Sequence, residues 1–237
     1  MSLPLFLVEE LPAGESYTLD GPEGHHAQAV QRLRPGERLV LGNGCGGTAV
    51  AVVEAVGRGS LDVMVETRRY TEPPDPRLVV VQGIAKGERG ELAVQAMTEV
   101  GVDEIVPWAA ARSVAVWRGE RGERSLERWR ATAREAAKQA RRSWLPTVAT
   151  PVTTGAVAGR VTLVLHEEAE QPLSAVPLPP AGEVVLAVGP EGGVAPEEVA
   201  AFEQAGAVPV RLGDTVLRTS TAGVAALAVL NARLGRW

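Results

Sequence analysis

The sequence predicts an α/β protein in two parts: a small β-barrel with one helix, then a larger domain on a mostly parallel sheet. Three observations carry this. Short strand-like runs around Gly-rich turns fill residues 1 to about 70, and Pro73-Pro74 and Pro76 then break the chain among charged residues. From Leu78 onward, continuous apolar runs alternate with helical segments. Strands apolar on both faces, interleaved with helices, indicate a parallel sheet covered on both sides.

In the first part, a helix is expected from about Glu23 to Leu33, stopped by Pro35-Gly36. Arg38 to Leu41 reads as a strand that enters the Gly-rich turn Gly42 to Gly47. Thr48 to Val56 and Leu61 to Glu66 follow as strands, with Gly57 to Ser60 turning between them. The stretch Arg68 to Arg77 has the composition of a linker. Domain bounds of 1–70, 71–77 for the linker and 78–237 follow.

In the second part, Leu78 to Val81 is a strand and Arg89 to Val100 a helix ended by Gly101. Glu104 to Pro107 resumes as strand. A long helix follows, with Ser125 as its expected N-cap and Pro146 closing it. Val161 to Leu165, Val184 to Val188 and Val208 to Leu212 are three further strands, and Thr219 to Leu234 forms a last helix rich in Ala and Leu.

Composition narrows the class. Of 237 residues, 45% are hydrophobic and 22% charged, ordinary for a water-soluble globular protein, and no run reaches membrane-span length. Cys45 is the only cysteine, so no intrachain disulfide or thiolate metal cluster can form. With three His and no Cys pair, no metal site is expected. The N-terminus lacks a signal-peptide pattern, and cytoplasm is the expected location. The net charge of −5 argues against a uniformly basic nucleic-acid binder. Between Arg112 and Arg142, however, nine Arg and Lys138 face four Glu, a basic island on an acidic chain.

Two loops concentrate the chemistry. Val184 to Val188 opens into Gly189-Pro190-Glu191-Gly192-Gly193, and Val208 to Leu212 opens into Gly213 to Thr221, with Arg218 among apolar and hydroxyl residues. A third strand end, Leu165-His166-Glu167, points to the same edge. In open α/β sheets, ligands bind outside the carboxyl ends of strands, so the three loops suggest one small-molecule site. Arg134, Lys138, Arg141 and Arg142 recur at near-helical spacing, a candidate phosphate-contacting face or simply a solvated one. His26, Arg32 and Arg34 form a second polar cluster in the N-terminal part.

These motifs together resemble the small-subunit ribosomal RNA uridine-N3 methyltransferase family, of the knotted SPOUT class of S-adenosylmethionine enzymes. The resemblance rests on Gly189 to Gly193, Leu212-Gly213 and Val216-Leu217-Arg218-Thr219. Upstream it extends to His26, Val30, Arg32, Leu33 and Pro35-Gly36, to Lys86 and Thr98 to Gly101, to Ile105-Val106-Pro107, and to Ala136-Ala137, Gln139, Arg142 and Pro146. The chain departs from it at Ser220 and Lys138, where relatives commonly carry Glu, and at Ala96, where they often carry Lys.

The resemblance implies an RNA-binding PUA-like barrel followed by a trefoil-knotted methyltransferase domain that works as a homodimer. S-adenosylmethionine would lie among Leu165, His166, Glu167, Gly189 to Gly193, Leu212, Gly213, Val216, Leu217, Arg218 and Thr219. The implied reaction is methylation of uridine N3 in 16S rRNA, on free RNA or the small subunit. Arg218 would stabilise charge, while Glu191, Asp214 and Glu167 stay open as the base. His26, Arg32, Arg34, Arg134, Lys138, Arg141 and Arg142 would contact RNA. The competing readings are a ribose or tRNA methyltransferase of the same class and a non-catalytic RNA-binding assembly protein.

Overall fold

The computed structural model describes residues 3–237 and divides them into two compact units. One comprises the residues through Pro73 together with Ala137–Leu145; the other comprises Pro74–Ala136 and Pro146–Trp237.

The first unit holds β1 (Leu5–Leu7), β2 (Ser16–Leu19), α1 (Gly21–His25), β3 (Arg38–Gly42), β4 (Gly47–Val56) and β5 (Leu61–Tyr70). They form a five-stranded sheet in the order β1-β3-β4-β5-β2, antiparallel except for β1 on β3. Alternate residues of β4 and β5 turn inward, and Ala49, Ala51, Val53, Leu61, Val63 and Val65 join Phe6, Leu39 and Leu41 in one core. The expected helix over 23–33 starts earlier and ends sooner. After α1 the chain widens into a π-helix over His26–Val30, and Arg32 ends it in the left-handed conformation at φ 56°.

The second unit is built on a six-stranded, fully parallel sheet in the order β11-β9-β10-β6-β7-β8. Its elements are β6 (Arg77–Gly83), α2 (Arg89–Glu99), β7 (Glu104–Trp108), α3 (Gly119–Gln139), β8 (Thr147–Val148), α4 (Thr154–Val157), β9 (Leu163–Leu165), β10 (Glu183–Val188), α5 (Pro196–Gln204), β11 (Val208–Val210) and α6 (Thr219–Arg233). Strand periodicity sorts the apolar runs into two cores. Leu78, Val80, Val184, Leu186 and Val188 face α2, α3 and α6, while Val79, Val81, Val185 and Ala187 pack with Phe202 and Trp108.

Two expectations for the long helix need correction. Ser125 does not cap it: α3 begins at Gly119, and the buried Ser125 Oγ donates to the Arg121 carbonyl at 3.0 Å, one turn back inside the helix. Nor does the helix continue to Pro146. Arg141 adopts φ 54°, its amide donates to the Lys138 carbonyl, and the Arg142 amide donates to the Ala137 carbonyl. This is a Schellman ending with arginine where glycine is usual. Arg141 and Arg142 therefore do not extend the helical face of Arg134.

At the amino ends of the strands, Glu104 and Glu183 are bridged by Arg160 at 2.7 and 3.0 Å and by Arg77 at 3.3 and 2.9 Å. The Arg160 hydrogen bond, reinforced by attraction to Arg160 and Arg77, outweighs burial and holds the Glu104 carboxyl below its ordinary range. This network closes the sheet edge opposite the site described next.

Candidate active site

Chain order reverses across the sheet between β6 and β10, and the carboxyl ends of β9, β10 and β11 lie on one side of that point. Such reversals open a crevice for ligands. Here the crevice is a cleft of about 490 Å³. Leu165, His166 and Glu167 line it from β9, Gly189 to Gly193 from β10, and Leu212, Gly213, Val216, Leu217, Arg218 and Thr219 from the segment after β11. Every residue expected around the donor thus lines one cavity.

Buried hydrogen bonds hold the loops in register. The Thr219 hydroxyl donates to the Gly189 carbonyl at 2.8 Å and accepts from Gln82 Nε2 at 2.9 Å. Gln82 is 0% exposed at the end of β6, so one amide side chain connects the central strand to the start of α6. The neighbouring Gly83 has no room for a side chain, since a Cβ there would lie 2.5 Å from the Pro190 nitrogen. Gly193 sits at φ 75°, the left-handed region that glycine reaches without strain. A Cβ on Gly192 would lie 3.0 Å from Arg112 Cβ, so that glycine admits the segment after β7. The Arg112 guanidinium donates to the Gly192 carbonyl at 3.2 Å.

The three open carboxylates now differ. Glu191 Oε1 accepts from the Lys86 amide at 3.0 Å and from Arg89 Nη1 at 3.2 Å. Burial would raise its pKa, but hydrogen bonds from its own amide, the Lys86 amide and Arg89 outweigh burial and hold it below the ordinary carboxylate range. Asp214 is largely exposed and paired with Arg211 at 2.8 Å. Glu167 is exposed at the cleft and has no side-chain partner among the described residues. The Arg218 guanidinium is likewise exposed and unpaired among the described residues, at the N-cap of α6. Val216 is 77% exposed, and with Leu217 it presents an uncovered apolar rim.

Sequence reasoning missed Gln82, Gly83, Arg89 and Arg112. The first two were signalled by an amide and a glycine ending an otherwise apolar strand. The arginines carried no signal separable from the rest of the basic island.

The expected RNA-contacting residues do not behave alike. Lys138 is a correction, because it is only 5% exposed. Its Nζ lies 2.7 Å from Glu23 Oε2 and 3.3 Å from His26 Nδ1, over the Phe6 ring at 5.6 Å from the centroid. A lysine neutralised this way anchors the end of α3 within the first unit and is not available to a phosphate. That contact also occupies one ring nitrogen of His26, which packs edge-on to Phe6. Arg32, Arg34, Arg134 and Arg141 are exposed, and Arg142 is half-buried.

Comparison with known proteins places this geometry in a family. An RNA methyltransferase domain matches residues 71–231, and an RNA methyltransferase PUA domain matches residues 19–66. The ribosomal RNA small subunit methyltransferase E of Mycobacterium tuberculosis is 49% identical, over 98% of this chain and 93% of its own length. The protein of the same name from Synechocystis is 31% identical over 99% of this chain and 78% of its own. Among solved structures, a ribosomal RNA small subunit methyltransferase E from Neisseria gonorrhoeae bound to S-adenosyl methionine superposes with a TM-score of 0.86 at 26% identity, covering 98% of both chains. The chain belongs to the RNA methyltransferase family that includes the small-subunit ribosomal RNA methyltransferases E.

Proposed function

We propose that this protein transfers a methyl group from S-adenosylmethionine to N3 of a uridine in small-subunit ribosomal RNA. The observation that carries the reading is the convergence of three strand-end loops on one cleft, in a chain similar over its length to a methyltransferase solved with that donor. The cleft suits the donor's mixed character. Backbone amides and carbonyls of Gly189 to Gly193 and Leu212-Gly213 offer hydrogen bonds to an adenine edge. Val216 and Leu217 offer an apolar surface, and the space beyond Gly213 is open within 4 Å of where a Cβ would stand. Once bound, S-adenosylmethionine supplies an electrophilic methyl group.

The residues of this chain supply the rest. Uridine N3 carries a proton, and its lone pair is delocalised into the flanking carbonyls, so the proton must leave for the nitrogen to attack. Arg218 is always protonated and cannot be the acceptor. Its guanidinium, unpaired among the described residues, stabilises the negative charge that spreads onto the uracil oxygens. Glu167, the unpaired carboxylate of the cleft, takes the proton, while Glu191 positions the loop through Lys86 and Arg89. Holding nucleophile and methyl in line then lowers the barrier by proximity.

In this reading the loops belong to a trefoil knot, residues up to about 70 form an RNA-binding PUA-like domain, and the protein works in the cytoplasm as a homodimer. Support for the dimer comes from α6, which has no charged residue from Thr219 to Ala232 and leaves Val224, Ala225, Ala228 and Val229 only half-buried. A helix apolar on every side is normally covered. The decisive experiment is mass spectrometry of small-subunit rRNA from a strain lacking the gene. N3-methyluridine should vanish and return on complementation; an unchanged level, or loss of a ribose-methylated nucleotide instead, would rule this target out.

A further inference from the structure

A second cleft, of about 570 Å³, opens beside the first within the same unit. Its walls are the residues after β6, the segment after β7 and the first turns of α3. Lys86, Arg121 and Arg128 line it against Glu88 and Glu91. Arg128 lies 3.8 Å from Glu91, whereas the Lys86 and Arg121 side chains are exposed and have no partner among the described residues. Trp117 is half-buried in the wall, edge-to-face on the buried Trp129 with centroids 4.9 Å apart. Two glycines admit this indole pair. A Cβ on Gly90 would lie 2.8 Å from the Trp129 ring, and one on Gly122 would lie 2.8 Å from the Trp117 carbonyl carbon.

Two links join this cleft to the first. The Lys86 amide and Arg89 both hold Glu191 of the donor loop. On the other wall, Arg112 holds the Gly192 carbonyl, and the same segment continues through Val114 and Val116, 65% and 62% exposed, to Trp117. A molecule seated in the second cleft therefore lies against Lys86, whose amide holds Glu191, and against the segment that continues from Arg112.

An indole beside uncommitted cations is a combination that binds single-stranded nucleic acid, with bases stacking on the ring and phosphates pairing with guanidinium. The volume lies within the roughly 300–1,000 Å³ of small-molecule sites, enough for one nucleotide. We infer that this cleft holds a nucleotide of the single-stranded RNA substrate, its base against Trp117 and its phosphate between Lys86 and Arg121. Seating that nucleotide selects which neighbour enters the donor cleft. The inference rests on the RNA methyltransferase reading above.

The test compares the full-length protein with Trp117→Ala, Trp117→Phe and the double variant Lys86→Ala/Arg121→Ala. Each is assayed for methylation of small-subunit rRNA and for binding of a short uridine-rich oligoribonucleotide. Trp117→Ala should raise the KM for RNA roughly 5- to 100-fold, and Trp117→Phe should recover most of it. kcat and S-adenosylmethionine affinity should stay within about 2-fold. Losing two phosphate contacts should cut the slope of log affinity against log salt by about 1.4, at about 0.7 per contact on a single strand. Folded variants with unchanged KM, oligonucleotide affinity and salt slope overturn the inference while the wild-type activity stands. So do variants that lose only binding to small-subunit proteins, which would make the cleft a protein contact. A wild type that binds the oligonucleotide through Trp117 yet never methylates leaves the cleft assignment intact and removes the functional reading instead.

Discussion

Thr219 and Gly189, thirty residues apart, meet at 2.8 Å, where the Thr219 hydroxyl donates to the Gly189 carbonyl and accepts from Gln82. One side chain thus couples the loop after β10 to the start of α6. Thr219→Val removes the donor to the half-buried Gly189 carbonyl and leaves the buried Gln82 amide with only its 3.2 Å bond to the Gly83 carbonyl, at a cost of about 1–3 kcal/mol. Chemical denaturation should read that loss, and calorimetry should show weaker S-adenosylmethionine binding. Thr219→Ser should restore both.

Arg218 tests the chemistry apart from donor binding. With no partner among the described residues, its side chain contributes little to folding. Arg218→Ala should lower kcat by about 10²- to 10³-fold, the range for losing one charge-stabilising donor. Donor affinity by calorimetry should barely change; retained turnover would exclude the role.

The carboxylates separate by the same logic. Glu167→Gln should cut kcat by about 10²- to 10⁴-fold as a proton acceptor is lost. Glu191→Gln should instead weaken donor binding, because the Lys86 and Arg89 contacts to its carboxylate set the loop. The reverse pattern in single-turnover kinetics would exchange their roles.

Gly192→Val should act through Arg112 and not by filling the cleft. Its Cβ would lie 3.0 Å from Arg112 Cβ and 3.1 Å from the Arg112 carbonyl oxygen. Overpacking of this kind costs about 1–3 kcal/mol. A melting temperature equal to wild type, with donor affinity unchanged, would contradict it.

Acid stability should depend on Glu104. Its folded-state pKa lies below the ordinary 4.5, so its stabilisation is complete above that value and disappears as pH falls through the lowered folded value. Urea midpoints measured from neutral pH down through this window should fall for the wild type. Glu104→Gln should be less stable at neutral pH by about 1–2 kcal/mol, with a shallower acid limb.

Five strands of the parallel sheet were legible because their apolar runs are continuous, and burial on both faces leaves little else to read; β8, two residues long, shows no such run and was missed. The loops that line the cleft were legible because they follow strand ends, where topology brings them to one edge. Lys138 was misread because helical spacing places a side chain on a face without saying what packs there. Glu23 and His26, more than a hundred residues away in sequence, turned that position into a buried ion pair. Arg141 was misread because a left-handed arginine is uncommon enough that no composition rule anticipates the helix ending there.

By itself, the sequence determined the fold class, the loops that line the cleft and the family these motifs resemble, since each depends on local periodicity or on motifs near one another. Only the tertiary structure decided which of three carboxylates has no partner among the described residues, that Gln82 and Thr219 lock the loops, and that Trp117, Arg121 and Lys86 share a cleft. Those outcomes depend on distances between residues far apart in the chain, and side-chain pairing and burial are set only when the sheet brings them together.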